Sequence, residues 1–402
     1  MANDHEVVVL THADNRPDIE AELHRHPNRH RLRFEYVAMP QSLAWLRHST
    51  YSLFNLHYYL WQVAAGRRAS AIHRVEPVDL VQHISFMRWW MPSAGAELAS
   101  AGVKFIFGPV VGGDLMPANF RKGIPLQAKL GELVRWLARE IHRRDPRLAR
   151  TLRSADLVLA GTRSAHAGAT RLGAKRVELT SSGTMSDSSL VSSVLAYRHT
   201  LPESRPFRFV SVGGLSYYRG VDLALRAFAC ANISGTEYVH ACDGPDRHRL
   251  ERLARELGIA DRVRFTGDIG HACNLREVAC GHVYVHTVLR DSMGVIPEAM
   301  ALGLPVLGLD LNTMSLMIDD RSGAKIPVTP TTTPEDVVRE LARLMKLWHD
   351  DAELRQRLAA GAQARSQAFT RAARASQLRA FQQSVLTCES LATPSLARPS
   401  AA

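Results

Sequence analysis

The stretch Asp291–Val306, which reads DSMGVIPEAMALGLPV, decides the fold that the rest of the chain supports. It follows an apolar run at His282–His286 and leads into a second run at Pro305–Leu309, with a helical pattern between the two. Pro297 and Glu298 fall in the first turn of this helix, where proline is tolerated and the helix dipole favours a carboxylate. The stretch therefore predicts a strand, a loop, a helix and a second strand.

The loop before this helix predicts a ligand site. It consists of Asp291, Ser292, Met293, Gly294 and Val295. The amides of a glycine-containing loop and of a helix N-terminus can face a phosphate, and the two carboxylates can accept hydrogen bonds from sugar hydroxyls. We expect a sugar nucleotide to bind here; the structural alternative makes Glu298 only a capping charge.

Apolar strand-like runs alternate with helical patterns along the whole chain, which is typical of βα units and parallel sheets. The first half contains the predicted strands Glu6–Thr11, Leu32–Val37, Leu80–His83, Val103–Gly108, Leu157–Ala160 and Arg176–Thr180. The second half contains Phe207–Gly213, Glu237–Ala241, Arg262–Thr266, His282–His286, Pro305–Leu309 and Ala324–Pro327. Two successive sets favour an α/β fold with two doubly wound, Rossmann-like domains.

The polar, glycine-containing stretch Ser181–Thr184 predicts the boundary between these domains. We expect an acceptor-side domain over 1–183 and a donor-binding domain over 184–373. A C-terminal helix over about 374–392 is expected to pack back on the first domain. The Pro-, Ser- and Ala-rich tail 393–402 is predicted to be disordered.

Three further loops follow predicted strands of the second half, where α/β sheets place their ligands. Gly213 and Gly214 precede a turn with Arg219, Asp243 and Gly244 form a turn before Pro245, and Thr266 and Gly267 end the next strand. Glycines at these places let backbone amides approach a phosphate. A simple tight turn would also explain the first pair, and Asp-Gly-Pro is a strong turn signature in itself.

Together, these four segments resemble glycosyltransferase family 4, a group of retaining enzymes with the GT-B fold. The family pattern is G-R-L-x-x-x-K-G, G-x-G-P or G-D-G-P, V-x-F-x-G, and E-x7-E with E-A-M-A-x-G-x-P-V. Its counterparts here are Gly213–Gly220, Asp243–Pro245, Val263–Gly267 and Asp291–Val306, in the same order. The resemblance implies two Rossmann-like domains that face each other across a cleft.

The first half is similar to one bacterial branch of this family. The segment His5–Ile19, with Asn15 and Arg16, resembles a first strand and acceptor-side loop. The segment Asp79–Phe86 resembles the strand that ends in a donor-facing histidine, here His83, which could instead be a core histidine with satisfied hydrogen bonds. Gly108–Asp114, with acceptor-side Gly112, Gly113 and Asp114, is similar to the G-P-V-G-G-G-E loop.

The resemblance implies transfer of a sugar from a nucleotide-diphosphate donor to an acceptor hydroxyl, with retention of configuration and with His83, Arg219 and Asp291 as catalytic residues. It implies no catalytic metal and no other cofactor. The sequence departs from the family pattern in the donor-binding motifs. Gly214 replaces the first basic residue, and Cys242 replaces a usual glycine. Asp291 and Glu298 are separated by one residue fewer than the two acidic residues of the family. Arg16 or Arg290 could supply the missing charge.

Composition excludes several classes of protein. The net charge of +11 is spread over many Arg-rich helices, which does not indicate a nucleic-acid partner. The five cysteines have no C-x-x-C spacing and are expected to be small buried residues. The N-terminus lacks the pattern of a signal peptide and no stretch is long enough to span a membrane, so a cytoplasmic location is expected, with peripheral contact at the inner membrane face as an option.

Two helical segments leave alternatives open. The aromatic-rich segment 43–65 is either a helix packed on the first sheet or a surface for an acceptor or a membrane. Residues 128–153 predict a basic amphipathic helix pair, broken at Pro146, whose charged face is solvated.

Competing functions remain at the level of sequence. A non-catalytic GT-B protein that binds a nucleotide or a partner glycosyltransferase would explain Gly214, and a sugar-nucleotide epimerase is a smaller alternative. A nicotinamide dehydrogenase is disfavoured because no G-x-G-x-x-G fingerprint fits. The acceptor is undetermined among a saccharide, a lipid-linked sugar and a small molecule.

Overall fold

The computed structural model describes residues 4–49, 51–84, 88–185, 188–202, 204–290 and 295–387. The described strands are β1 Val7–His12, β2 Leu32–Val37, β3 Leu80–His83, β4 Lys104–Val110, β5 Leu157–Ala160, β6 Val177–Leu179, β7 Phe207–Val212, β8 Thr236–Ala241, β9 Val263–Phe265, β10 Val283–His286, β11 Val306–Leu309 and β12 Gly323–Ile326. Each corresponds to one strand predicted from the sequence, with bounds that differ by two residues at most.

The α-helices within these residues occupy the stretches between strands. They are α1 Arg16–Leu23, α2 Gln41–Ala44, α3 Tyr51–Val75, α4 Gly95–Ala99, α5 Leu126–His142, α6 Pro146–Ser154, α7 Arg163–Arg171, α8 Ser188–His199, α9 Val221–Ala231, α10 Arg247–Glu256, α11 His271–Ala279, α12 Ile296–Ala301, α13 Met314–Met317, α14 Pro334–Asp350, α15 Ala352–Ser366 and α16 Arg371–Leu386. None of the helices in the described part of the chain is long and apolar enough to cross a membrane.

The chain forms two compact units. Of the described residues, the first contains those within 4–112, 138–179 and 375–387, and the second contains those within 113–137 and 180–374. In the first unit β1 pairs with β2, while β3, β4, β5 and β6 form a separate parallel sheet in that order. The six strands predicted for this half are therefore present but are assigned to two sheets.

The second unit is built on one six-stranded parallel sheet with the order β12-β11-β10-β7-β8-β9. Alternate residues of its strands enter two different hydrophobic cores: Phe209 and Tyr238 pack in one, while Val210 and Val239 pack in the other. Because side chains alternate along a strand, burial on both faces requires near-continuous apolar runs, and this explains why the strands were predictable.

Residues 113–137 belong to the second unit, so the prediction that 1–183 forms one domain is wrong for this segment. Its Met116 and Phe120 are buried in the same core as Phe209. In addition, Glu132 of α5 forms a buried ion pair with Arg290, with 2.6 Å between Glu132 Oε1 and Arg290 Nη1. These long-range contacts, rather than chain order, determine where the segment packs.

Helix α16 packs in the first unit. Its Phe381 and Val385 share a buried cluster with Ile106, Leu157 and Leu159. Gln382 Nε2 also donates to Gln82 Oε1 at 2.6 Å.

Helix α3 contains most of the aromatic-rich segment 43–65. Tyr58 and Tyr59 pack against the core of the first unit, and Trp61 Nε1 donates to the Val37 carbonyl at 3.0 Å. These contacts favour the alternative in which this helix covers the first unit's strands. The expectation that the cysteines are buried is wrong for Cys230 and Cys273, which are exposed.

The predicted break at Pro146 is present, since Pro146 begins α6 and the Asp145 side chain caps that helix. The expectation of a solvated charged face is wrong for α5. Its Glu132 is buried, whereas Leu126, Leu130 and Leu133 are exposed. Helix α5 thus turns its polar side inward.

Candidate functional site

The strand order of the second unit reverses between β7 and β10. From β7 the chain continues to β8 on one side, whereas β10 pairs with β7 on the other side and continues to β11. In open α/β sheets, ligands bind in the crevice at the carboxyl ends of the strands that flank such a reversal. The loop after β7 carries Gly213–Arg219, and the loop after β10 leads to Glu298. The loop that carries Gly213–Arg219 and the loop that leads to Glu298 therefore both begin at the switch point.

Close backbone contacts join these two loops. Leu289 N donates to the Tyr218 carbonyl at 2.9 Å, and Thr287 Oγ1 donates to the Arg219 carbonyl at 3.2 Å. Gly220 has a φ of 62°, and a Cβ there would lie 2.3 Å from the Thr287 carbonyl oxygen. Only glycine fits both this conformation and this approach.

Arg219 lies over the end of β7. A Cβ on Gly213, whose φ is 137°, would be 3.2 Å from Cζ and Nη1 of Arg219. Burial lowers the pKa of His240 to about 4 and that of His286 to about 3, and the charge of Arg219 contributes to both decreases. The positive charge of Arg219 therefore acts on both buried histidines at the switch point.

A chain of buried hydrogen bonds fixes the carbonyl of Gly213. That carbonyl can only accept, so His240 Nε2 donates to it at 2.6 Å. The neutral ring then accepts at Nδ1 from Ser211 Oγ at 2.7 Å, and Ser211 Oγ accepts from Tyr238 Oη at 2.8 Å. Sequence reasoning missed this relay. Its signal was the presence of Ser211 and His240 inside otherwise apolar strands.

Glu298 is buried in the first turn of α12, three residues after Val295, which is the N-cap of that helix. Both Glu298 and Arg219 act electrostatically on the buried phenol of Tyr284. Burial raises the pKa of Tyr284, the negative charge of Glu298 raises it further, and the positive charge of Arg219 opposes the increase. The two side chains with the strongest sequence support thus act on one buried group. Asp291, Ser292, Met293 and Gly294 lie outside the described residues.

Asp243 and Gly244 follow β8, the next strand of the sheet. The Gly244 amide donates to Asp243 Oδ1 at 2.7 Å, and this bond, together with Arg247, holds the pKa of the Asp243 carboxyl below its usual value. A Cβ on Gly244 would lie 2.3 Å from the Leu215 carbonyl oxygen. Gly244 therefore allows the loops after β7 and β8 to touch.

Thr266 and Gly267 follow β9. Thr266 N donates to the His240 carbonyl at 3.0 Å, and Thr266 Oγ1 accepts from the Cys242 amide at 3.3 Å. Gly267 has a φ of 76°, and Cys242, which stands where the family has glycine, has a φ of 106°. The backbone of residue 242 thus keeps a conformation that favours glycine although the side chain has changed.

Arg290 is not available to replace the basic residue missing at Gly214. Its guanidinium is buried, with Nη1 bonded to Glu132 Oε1, and its Cζ lies 4.3 Å from the ring centroid of Tyr218. Tyr217 Oη also donates to Glu132 Oε1 at 3.1 Å. The charge of Arg290 is thus balanced inside the second unit, and it anchors α5 to the turn that carries Arg219.

His83 ends β3 in the first unit. Its Nδ1 lies 2.8 Å from Ser93 Oγ, and its Nε2 lies 3.2 Å from Tyr58 Oη. The ring also contacts Phe107 edge-on, with 5.3 Å between centroids. Both ring nitrogens therefore have protein partners within this unit, as the core-histidine alternative expects.

The acceptor-side residues lie after β1 and β4. Asn15 Nδ2 donates to Thr11 Oγ1 at 2.9 Å, and the exposed Arg16 places its Cζ 4.4 Å from the ring centroid of Tyr36. Gly112 and Gly113 have φ values of 82° and 74°. Gly112 is counted with the first unit, and Gly113 and Asp114 with the second.

Within residues 4–387, gaps excepted, no three His, Cys, Asp or Glu side chains converge in a way that could hold a metal ion. Among the described residues, the groups at the switch point include the guanidinium of Arg219 and the buried carboxylate of Glu298.

Residues 197–365 match the family model described as Glycosyl transferases group 1. A 154-residue segment is 33% identical to an alpha-D-kanosaminyltransferase of Streptomyces kanamyceticus and covers 38% of each chain. A segment of the same length is 30% identical to the lipopolysaccharide core biosynthesis glycosyltransferase LpsD of Rhizobium meliloti and covers 38% of this chain and 43% of that one. The chain thus spans less than half of the length of these relatives.

Solved structures match over most of the chain. Anabaena Alr3699/HepE in complex with UDP aligns with a TM-score of 0.58 and 19% identity, covering 94% of this chain and 92% of that one. Sucrose-phosphate synthase of Thermosynechococcus elongatus aligns with a TM-score of 0.57 and 18% identity, covering 89% and 84%. The chain therefore has the GT-B glycosyltransferase fold with two Rossmann-like domains, and residues 197–365 form the segment that the group 1 model describes.

Proposed function

We propose that this protein is a glycosyltransferase that takes a sugar from a nucleotide-diphosphate donor and passes it to an acceptor hydroxyl with retention of configuration. One observation carries the proposal. The Gly213–Arg219 turn and the loop before Glu298 meet at the β7/β10 switch point, where their backbones are hydrogen-bonded to each other. The family match over residues 197–365 supports the same conclusion.

In this proposal the second unit binds the donor. The Gly213–Gly214 turn binds the diphosphate through the Gly214 amide, since the Gly213 amide donates to the Ala241 carbonyl at 3.1 Å. Arg219 pairs with the charge that develops on the leaving phosphate. Glu298 accepts hydrogen bonds from the ribose, and Asp243, Gly244, Thr266 and Gly267 line the nucleotide with backbone groups. Asp291, Ser292, Met293 and Gly294, which lie outside the described residues, and Val295 bind the donor sugar in this proposal. A fixed guanidinium at a developing charge commonly contributes about 10²–10³ in rate.

The acceptor side is proposed to lie on the first unit and on the loop after β4. Asn15, Arg16, Gly112, Gly113 and Asp114 contact a saccharide, a lipid-linked sugar or a small molecule. His83 contacts the donor sugar once it exchanges its bond to Tyr58 or Ser93 for one to the substrate. The donor phosphate itself accepts the proton of the acceptor hydroxyl, so the reaction needs no separate protein base.

The test begins with binding. Thermal unfolding is followed with UDP-, GDP- and dTDP-sugars; a ligand at ~100 times its dissociation constant should stabilise the folded state by about 2.7 kcal/mol. Arg219→Ala should weaken binding of the best donor about ten- to a hundred-fold, since one charge-assisted hydrogen bond is lost. Arg252→Ala, on the exposed side of α10, is the matched control and should leave binding unchanged. No stabilisation by any donor would refute the proposal.

The second candidate is a protein with the same fold that binds a nucleotide without transferring sugar. It is favoured by Gly214, which leaves one basic contact missing, and by Arg290, whose charge is balanced by Glu132. Release of nucleoside diphosphate from the best donor separates the two. Transfer is supported if the donor is turned over, if Arg219→Ala reduces that turnover, and if the anomeric proton spectrum of the product shows the donor's configuration. Binding without turnover supports the second candidate.

A further inference from the structure

Helix α5 exposes an apolar stripe. Its members are between 45% and 73% exposed: Leu126, Leu130, Leu133, Val134 and Leu137. At about 100° per residue they fall within one narrow arc of the helix. A helix of a globular protein normally packs such an apolar arc against a hydrophobic core. In α5 the apolar arc is exposed instead.

The opposite side of α5 shows why the helix keeps this orientation. Buried Glu132 accepts from Arg290 and Tyr217, so turning the stripe inward would break a buried ion pair. Gly131 faces the same turn, since a Cβ there would be 4.0 Å from Tyr217 Oη. The stripe is therefore held in place by the inner side of the helix.

The surface beside the stripe is basic. A cavity of about 540 Å³ shares Leu133 with the stripe. It is lined further by Ala118 and Trp136, by the cations Arg121, Lys122 and Lys129, and by the carboxylate of Glu132. The two acidic residues of α5 do not oppose these charges. Glu132 is paired with Arg290, and Glu140 Oε1 accepts from Arg143 Nη1 at 2.7 Å.

We propose that the stripe, together with this basic cavity, docks on the surface of an anionic phospholipid bilayer. An apolar arc flanked by Lys, Arg and Trp is the chemistry with which a helix lies in a membrane interface. A second copy of the chain fits less well, because self-association would bring the same cations together on a protein of net charge +11. The docking surface is separate from the proposed transfer, since it needs no donor.

The test is flotation of the full-length protein with vesicles of equal parts phosphatidylglycerol and phosphatidylcholine, with pure phosphatidylcholine as comparison. Binding is expected only with the anionic lipid and should decrease as salt is raised. Lys122→Gln combined with Lys129→Gln should lower the partition coefficient about thirty-fold, which is about five-fold per lysine near an anionic surface. The matched control is Lys175→Gln combined with Lys346→Gln, both exposed elsewhere.

The apolar contribution is tested separately. Leu130→Ser combined with Leu133→Ser should lower partitioning at least about ten-fold, whereas Leu347→Ser combined with Leu386→Ser, exposed on other helices, should have no effect. Since all four leucines are exposed, unchanged thermal unfolding verifies that the variants fold. Absence of binding to anionic vesicles, or equal binding by stripe and control variants, would overturn the proposal. So would a dimer that the stripe variant converts to a monomer.

Discussion

Replacing Gly220 by alanine tests whether the loops after β7 and β10 form one rigid support for a ligand. The change adds a Cβ 2.3 Å from the Thr287 carbonyl oxygen at a residue with φ of 62°. Since contacts under 3.0 Å do not occur, the backbone must shift by about 0.7 Å. The left-handed conformation costs about 1–2 kcal/mol and the overpacking about 1–3 kcal/mol more.

Gly258 provides the matched control, because its φ is 67° and a Cβ there would meet nothing within 4 Å. Gly258→Ala therefore measures the conformational cost alone. At about 3 °C per kcal/mol, the midpoint temperature of thermal unfolding should decrease by about 3–6 °C for Gly258→Ala and by about 6–15 °C for Gly220→Ala. Donor-induced stabilisation should survive in the control and decrease in Gly220→Ala. Equal losses of stability and binding in the two variants would refute the close approach.

Three other perturbations have defined outcomes. Gly214→Arg should be accommodated, because the nearest atom to an added Cβ is the Asp243 carbonyl oxygen at 3.6 Å. If Gly214 leaves a basic contact missing, donor titration should show about ten-fold tighter binding by this variant. Glu132→Ala should destabilise by about 3–5 kcal/mol in denaturant unfolding because Arg290 is left buried and unpaired, and adding Arg290→Met should recover most of the loss. Lowering the pH from 7 to 5 should cost about 2 kcal/mol for each of His240 and His286, whose folded pKa values lie near 4 and 3. Below pH 6.5 the unfolded chain binds more protons than the folded one, so the free energy of unfolding must decrease as the pH is lowered. His286→Phe should make this decrease smaller.

The strands of the six-stranded sheet were predictable because both faces of that sheet are buried. Val210 and Val239 pack on one side of the six-stranded sheet and Phe209 and Tyr238 on the other, so the pattern along each strand is almost continuously apolar. The glycine-containing loops were predictable for a related reason. Gly220 and Gly244 stand where a side chain would collide with a neighbouring backbone.

Long-range pairing could not be inferred in the same way. Helical periodicity shows that α5 has two different faces, but the inward face is chosen by Arg290, which lies 158 residues away in the chain. The same contact, together with the burial of Met116 and Phe120, explains why residues 113–137 pack in the second unit. The relay through His240 was missed because its three hydrogen bonds join side chains and backbone from two different strands.

The most direct test of the central claim is a crystal structure with the nucleoside diphosphate that gives the largest thermal stabilisation. We expect its phosphates at the β7/β10 switch point, within hydrogen-bonding distance of Arg219 and the Gly214 amide, and its ribose hydroxyls at Glu298. A nucleotide bound in another part of the chain, or one at this site whose phosphates do not contact Arg219, would contradict it.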